Sequence, residues 1–454
     1  MLNRRTALGT FAGLGAGAAG LAAPSVASAG TLNLTPSVPP PIYGPRMNFE
    51  QAEKVMTQLG LDAIVVGQGT NLYHAAGLDL TATKMGHTPG VYAIIAREPK
   101  QRLSVVAPAF LFYYTIALDA QHSDYPAYLY EGPGGAAEDA ALTMDDLPIY
   151  PDLQQMPLDS IEHERFSVIE QAVMQEAARP NLKFALARAL RELGLTKGRI
   201  AGDWPTVKAS IAEAAPDAQI VDADDALRRI RPVKSEVEIT LMRYAAQANA
   251  DAALEAARTV RAGADVRELR AAYFAAGAAR GLKGVFMVID RVSSPTYQAA
   301  LRDGQCFSID CVSHYMGYHG DFARAVHIGE PPATMKRVSE LTGKSWDILR
   351  EQIKPGLRFS EVRAMGKAAL KSLGADFDIS FTPHSVGLFH ADHVGNMGSP
   401  PREDIVLEPN MVLSVDCPMG ATGMGGSSHL EDLMLITANG AEPINGTGSQ
   451  VVMV

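Results

Sequence analysis

Seven of the eleven histidines, His314, His319, His327, His384, His390, His393 and His429, fall between residues 314 and 429, interleaved with acids in short apolar runs. The first cluster reads Phe307-Ser308-Ile309-Asp310-Cys311-Val312-Ser313-His314, then Tyr315-Met316-Gly317-Tyr318-His319-Gly320-Asp321-Phe322-Ala323-Arg324. Alternation from Cys306 to Asp310 after Gly304 starts a strand, and Gly317 and Gly320 permit a tight reversal or bulge. As a hairpin, this segment brings Asp310 and Asp321 together. Two carboxylates held that close repel, and one pKa rises, unless a divalent cation compensates them. Three further donors follow: His384 in Phe381-Thr382-Pro383-His384-Ser385-Val386-Gly387-Leu388, Asp416 at the end of Met411 to Val415, and Glu431 at the start of the run to Thr437. Carboxylates in strands this apolar need a partner. Four carboxylates and one imidazole make a hard, mostly oxygen site suited to one or two Mn²⁺, Fe²⁺, Co²⁺ or Zn²⁺ ions, which carboxylates bridge at about 3 to 4 Å. The alternative for each is an edge-strand acid facing water, or a histidine satisfied in the core.

These residues need elements to hold them. After a Pro-rich lead, residues 47–60 read as a helix stopped at Leu59-Gly60, and Asp62 to Gly67 as a buried strand. Gly90 to Ala96, Leu103 to Pro108 and Arg199 to Asp203 fit further strands, with a helix at 159–193 broken by Pro180. That alternation indicates a small α/β domain. The charged segment Asp222 to Lys234, stopped by Pro232, marks a boundary. Beyond it, Ser235 to Val260 is an Ala-rich helix with Ile239, Met242, Ala246, Ala250 and Ala253 along one stripe. Two windows, Val260 to Ala272 and Ile353 to Met365, match at a constant offset of 93 residues. In each, a Gly ends one helix, and Asp265 or Ser360 is placed to cap the next. The repeat predicts two related α+β halves with a site at their junction.

The remaining composition narrows the class. The chain has 454 residues, of which 47% are hydrophobic and 20% charged, so it is globular and not a polytopic membrane protein. A net charge of −10 without a basic block argues against a nucleic-acid groove. Residues 1–29 read as a twin-arginine signal peptide, with Arg4-Arg5, a weakly apolar Ala/Gly run and Ala27-Ser28-Ala29, so export to the periplasm is the expectation. No other segment has eighteen uninterrupted apolar residues. Cys311 and Cys417 each follow a candidate ligand, so in strands they point to the opposite face and into the core.

From about Val233 to Thr437 the sequence resembles the pita-bread catalytic domain of the M24 metallopeptidases, the family of methionine and Xaa-Pro aminopeptidases, prolidases and creatinase. The motifs that carry the resemblance are Asp310-Cys311-Val312, Gly317 to Arg324, His384 to Leu388, Pro409 to Pro418 and Gly425-Gly426 with His429-Leu430-Glu431-Asp432. Gly60 to Val66 and Asn71 to Gly77 are similar to the creatinase and prolidase branch. The resemblance implies an α+β fold: a creatinase-like α/β N-terminal domain over 35–230 and a pita-bread domain over 234–454. It implies that Asp310, Asp321, His384, Asp416 and Glu431 bind metal, with Asp321 and Glu431 bridging. It also implies a homodimer.

Departures accompany it. Asp416 stands for a Glu, which shortens its reach by about 1.5 Å. Ala391 occupies the position of a substrate-side histidine, leaving His390 and His393 as candidates; His393, before Val394-Gly395, is the preferred one. A histidine expected near Asp290 to Pro295 is absent, and His429 replaces an Arg. The implied activity is metal-dependent hydrolysis of short peptides by a metal-bound hydroxide, of the Xaa-Pro aminopeptidase or dipeptidase kind, with His393, His390 and Glu431 as catalytic residues. The alternative is a non-peptidase enzyme on the same fold, a creatinase-like C–N hydrolase or metal-dependent lyase acting on a small molecule. A non-enzymatic binding protein is the third class.

Overall fold

Apolar runs of the first two hundred residues become one sheet. In a computed structural model, which describes residues 38–454 apart from 40, 68, 87–89, 112–124, 133–140, 144–156, 158, 164–177, 394–403, 422 and 447–449, seven strands pair in the order β5-β4-β3-β2-β1-β6-β7. They are β1 (Ala63–Val66), β2 (Tyr92–Ala96), β3 (Leu103–Pro108), β4 (Ala127–Gly132), β5 (Ala178–Asn181), β6 (Arg199–Gly202) and β7 (Gln219–Asp222). The signal segment lies outside the described residues. Both faces of the sheet are buried, Ile64, Val66 and Ile95 on one side and Val65, Ile94 and Val106 on the other. That explains continuous rather than alternating apolar strands.

Helix α1 (Phe49–Leu59) starts at Asn48, whose side chain accepts from the Gln51 amide, and ends at Gly60. Helix α2 (Gly69–Ala76) carries Asn71, Tyr73 and His74. The helix expected over 159–193 is corrected: Pro180 sits in the edge strand β5, and α3 (Leu182–Glu192) begins only after Asn181 caps the Phe184 amide. Proline has no N–H for a helix ladder and is tolerated at a sheet edge.

Past residue 230 the chain forms two similar halves. Helices α4 (Glu236–Ala257) and α5 (Val266–Ala279) precede β8 (Lys283–Ile289), β9 (Cys306–Tyr315) and β10 (Tyr318–His327). Helices α6 (Ala333–Arg350) and α7 (Phe359–Ser372) precede β11 (Thr382–Ser385), β12 (Val412–Met419), β13 (Ser428–Leu430), β14 (Leu433–Ile436) and β15 (Ala441–Pro443); β16 (Val451–Met453) returns to β10. The repeat is physical. The ends of α4 and α6, and both ends of α5 and α7, stand at the offset of 93 residues seen in the sequence. The Gly263 amide bonds the Leu301 carbonyl as Gly356 bonds Leu407. Asp265 caps α5 as expected, accepting from the Arg267 amide. Ser360 does not cap α7: its amide and hydroxyl both bond the Asp404 carboxylate.

Sheet β16-β10-β9-β8 and sheet β11-β12-β14-β15 meet where Ala323 of β10 and Glu431 exchange backbone hydrogen bonds of 3.2 and 3.3 Å. Among the described residues no helix is long and apolar enough to cross a membrane.

Candidate metal centre

The hairpin β9–β10 turns through Met316 and Gly317, both at positive φ (47° and 84°), which matches the twist of the strands it joins. Its register pairs Asp310 with Ala323 and Val312 with Asp321. Directly opposed residues share a face and i, i+2 residues share a face, so Asp310 and Asp321 are diagonal neighbours on one side. Cys311 and Phe322 oppose each other on the other side, in an apolar cluster with Met287 and Ile309. Cys417 is likewise buried, and all three cysteines are free thiols.

The second half supplies the other donors by the same pairing logic. On β11–β12, His384 opposes Ser414 and Thr382 opposes Asp416, again a diagonal pair on one face. Asp310-Cys311 and Asp416-Cys417 are corresponding strand positions of the two halves. Because Ala323 stands opposite Asp310 across β9–β10 and exchanges backbone hydrogen bonds with Glu431 across the seam between sheets, the Glu431 side chain arrives beside the hairpin acids. Arg324 anchors this crossing: it donates to the Glu431 carbonyl (3.0 Å) and to Asp432 Oδ1 (2.7 Å).

All five sequence-derived ligands therefore converge. His384 Nε2 lies 3.1 Å from Glu431 Oε1, 3.5 Å from Asp416 Oδ2 and 3.6 Å from Asp321 Oδ2. Donors that each sit about 2.1 Å from one ion are about 3.0 to 3.4 Å apart, so these spacings suit a shared cation. Three sets bring donor atoms within 4.8 Å of one another: Asp321, His384 and His390; His384, Asp416 and Glu431; Asp310, His429 and Glu431. Asp310 Oδ1, both Asp321 oxygens, Glu431 Oε2 and His429 Nε2 are buried without an aligned hydrogen-bond partner. Orphaned atoms of that kind cost free energy in a fold unless something outside the chain satisfies them. The residues fit a divalent metal.

Electrostatics agree. Burial first, then Glu431, pushes the Asp310 carboxyl up to about 7. Burial and the neighbouring Asp321 and Asp416 raise Glu431 to about 7. Burial alone would depress His384, but Glu431, Asp321 and Asp416 override it and lift the imidazole to about 10. Its Nδ1 faces the His390 carbonyl at 3.1 Å, which turns Nε2 toward the acids. That is the usual way a second bond fixes a ligating histidine. Ser414 Oγ donates to Glu431 Oε1 at 2.5 Å.

The two histidines flanking Ala391 go to different places. His390 Nε2 lies 3.0 Å from Asp321 Oδ2, with 39% of its side chain exposed. His393 Nδ1 instead meets the Ser385 amide (3.3 Å) and hydroxyl (3.1 Å), and its ring abuts Phe359. The segment is a turn, closed by the Phe389 amide donating to Asp392 Oδ1 (2.8 Å) and the Asp392 amide to the Ser385 carbonyl (3.0 Å). Val394-Gly395 lie outside the described residues.

Sequence reasoning missed what holds that turn. Asp392 is 1% exposed and pairs with Lys234, which is fully buried; Lys234 Nζ also donates to the Arg231 carbonyl (2.6 Å). Arg231 lies over the Phe389 ring and donates to Asn71 Oδ1 of α2 (3.3 Å). A Cβ at Gly387 would collide with both Asp392 and Lys234, so only glycine lets this pair sit against the backbone. The one available signal was charge in the segment before α4.

Residues 240–438 match the model of metallopeptidase family M24. The matched domain spans less than half of the chain. The chain is similar to a curated Mycobacterium tuberculosis protein named "Probable dipeptidase PepE", 28% identical over 244 residues, which is 51% of this chain and 63% of that one. A creatinase from a Bacillus species is 26% identical over 320 residues, 62% of this chain and 74% of its own. The solved Xaa-Pro dipeptidase from Bacillus anthracis superposes with a TM-score of 0.61 at 18% identity, covering 89% of this chain and 99% of that one. The superposition spans both domains, so the fold is the two-domain layout with the M24 domain second. Among the described residues, the M24 domain gathers all three candidate metal-ligand sets.

Proposed function

We propose that the protein hydrolyses a short peptide or peptide-like C–N bond in a metal-dependent reaction, of the Xaa-Pro aminopeptidase or dipeptidase kind. The observation that carries this is the convergence of Asp310, Asp321, His384, Asp416 and Glu431 with buried, unsatisfied donor atoms. These five residues would hold one or two divalent ions. A bound ion supplies Lewis acidity, polarising a carbonyl and lowering the pKa of a water.

The chain's own groups do the rest. Glu431, whose Oε1 accepts from Ser414 Oγ, is one carboxylate placed to take a proton from water and return it to the departing nitrogen. Asp416, whose side chain is 27% exposed, is the second carboxylate able to carry that proton. His390, partly exposed and raised by its contact with Asp321 against the effect of burial, donates to the carbonyl oxygen as it gains charge. His393 braces the turn. Periplasmic export through Arg4-Arg5 and assembly as a homodimer are parts of this proposal that rest on the sequence and the resemblance.

Metal-replete protein incubated with Xaa-Pro and non-proline dipeptides, beside creatine-type amidines, tests the reading. Proline-peptide cleavage that a chelator abolishes and added metal restores is expected. Cleavage of an amidine with no peptide hydrolysis would move the assignment to the creatinase-like reading, which the 62% coverage by creatinase and the altered ligand motifs favour.

A further inference from the structure

His429 stands two residues before Glu431. On β13 it pairs with Pro418, one residue past the Asp416-Cys417 pair on β12. Residues two apart on an extended chain share a face, so the His429 imidazole enters the same space as the Glu431 carboxylate. Its Nε2 lies 3.2 Å from Asp416 Oδ1 and 3.9 Å from Glu431 Oε2, and its donor atom falls within 4.8 Å of those of Asp310 and Glu431. The residue is 8% exposed, and Nε2 has no aligned hydrogen-bond partner; neither have Asp310 Oδ1 and Glu431 Oε2, the atoms it faces. Three buried, unsatisfied donors of different residues aimed into one space are what a cation would bring to rest.

Glu431 divides the centre between its two oxygens. Oε1 faces His384 and, beyond it, Asp416; Oε2 faces His429. Asp416 lies between the two imidazoles, Oδ2 3.5 Å from His384 Nε2 and Oδ1 3.2 Å from His429 Nε2, and the carboxylate of Glu431 is common to both sides. An imidazole in this position can bind a metal through its lone pair, which a permanently protonated guanidinium cannot.

We propose that His429 is a direct metal ligand, completing with Asp310 and Glu431 a second metal position that carries a nitrogen donor. The assignment rests on the metal reading above and adds a sixth ligand to it. The nitrogen donor favours Zn²⁺ or Co²⁺ over Mn²⁺ at this position, because imidazole suits the former better than an all-oxygen set does. His429 also explains how a centre with the short Asp416 closes: the imidazole occupies the space beside its carboxylate.

The test uses the full-length protein freed of metal and titrated with Zn²⁺ and Co²⁺ by calorimetry, alongside H429Q, H429R and H384A. Wild-type protein is expected to take two ions. In H429Q and H429R one of the two weakens by more than about 100-fold, beyond what loss of an outer-shell partner costs, while the other is unchanged. Cobalt X-ray absorption should show one fewer imidazole per protein in either variant. H429R keeps a positive charge beside Asp416, so retention of both ions and of the imidazole signal in H429R would make His429 a counter-ion and overturn the assignment. Wild-type protein that takes ions lost in H384A but kept in H429Q overturns only this inference; wild-type protein that takes none overturns the metal reading with it. A readout that needs no variant is the anomalous map of a Zn²⁺-loaded crystal: a peak about 2.1 Å from His429 Nε2 is expected, and a peak bonded only to the five other ligands would refute it.

Discussion

Buried charge is handled in two opposite ways in this molecule. Along the seam between the N-terminal sheet and the M24 domain, cations meet anions, amides or rings of the same chain. Lys234 pairs with Asp392, Arg231 stacks on Phe389, His74 Nε2 lies 3.1 Å from Glu238 Oε1, and Asn71 donates to Asp203 (3.0 Å). About the metal centre, four carboxylates crowd three histidines, and oxygens of Asp310, Asp321 and Glu431 have no aligned partner; among the described residues along the seam only nitrogens, of His74, Arg46 and Arg231, are left so, and each acid has its partner. A seam balanced in charge by its own residues is built to hold position. A cluster left open in charge and bonding is built to receive something.

The strongest way to break the comparison is to disable the open cluster. His384→Ala should abolish tight metal binding and lower kcat/KM by about 10³-fold or more, measured with metal content by mass spectrometry. If turnover persists in protein shown to be metal-free, the cluster is not the reactive centre. The closed seam should respond in stability instead. Lys234→Met leaves Asp392 buried without its counter-charge and is expected to cost about 3 to 5 kcal/mol in denaturant unfolding, whereas Lys234→Met with Asp392→Leu should recover most of it. An equal loss in the double variant would mean that shape, not charge, decides the seam.

His390 and His393 sharpen the contrast within nine residues of His384. His390→Ala should lower kcat/KM by about 10²-fold with metal retained, close to 2.7 kcal/mol of transition-state stabilisation. His393→Ala should instead cost about 1 kcal/mol of stability through its bonds to Ser385 and change kcat/KM much less. The reverse order would place His393 at the substrate.

Acidity gives the gentlest test. In metal-free protein His384 and His429 hold their protons up to about 10 and about 9, above the ordinary histidine value of 6.5. For His429 burial opposes the rise, and Asp416 and Glu431 override it. Folded protein therefore keeps protons that the unfolded chain has shed above pH 6.5. Their stabilising contribution is complete below pH 6.5 and is lost as pH rises through 9 to 10. The melting temperature of metal-free protein should fall over that range. Metal-loaded protein should move the other way, since deprotonated ligands bind more tightly. A melting curve that ignores pH in metal-free wild type and in His384→Ala alike would show that the cluster is not charged as described.

How much of this was legible depended on separation along the chain. Asp310 and Asp321 could be brought together from sequence because a local glycine turn sets their register, and alternation placed Cys311 on the far face. The offset of 93 residues exposed the duplication, since helix lengths and their glycine stops are local properties. Ser360 failed as a cap because it lies inside the first turn, where its amide and hydroxyl both donate to Asp404, distant in sequence. Pro180 was read as a break within a helix rather than as an edge strand because sheet position is not a local property.

The residue types alone determined that a hard, carboxylate-rich donor set exists, that it sits in buried strands, and that two similar halves carry it. Only the folded chain decided which nitrogen points where. His390 and His393 have the same side chain, yet a turn locked by Asp392 and by Lys234, 158 residues away, sends one toward the acids and the other against Ser385 and Phe359. His429 reads as a substitution in sequence; its place beside Asp416 and Glu431 follows from strand pairing. Local torsional preferences are written residue by residue, whereas the direction of a buried polar side chain is set by which long-range partners the packed sheets and helices leave within reach.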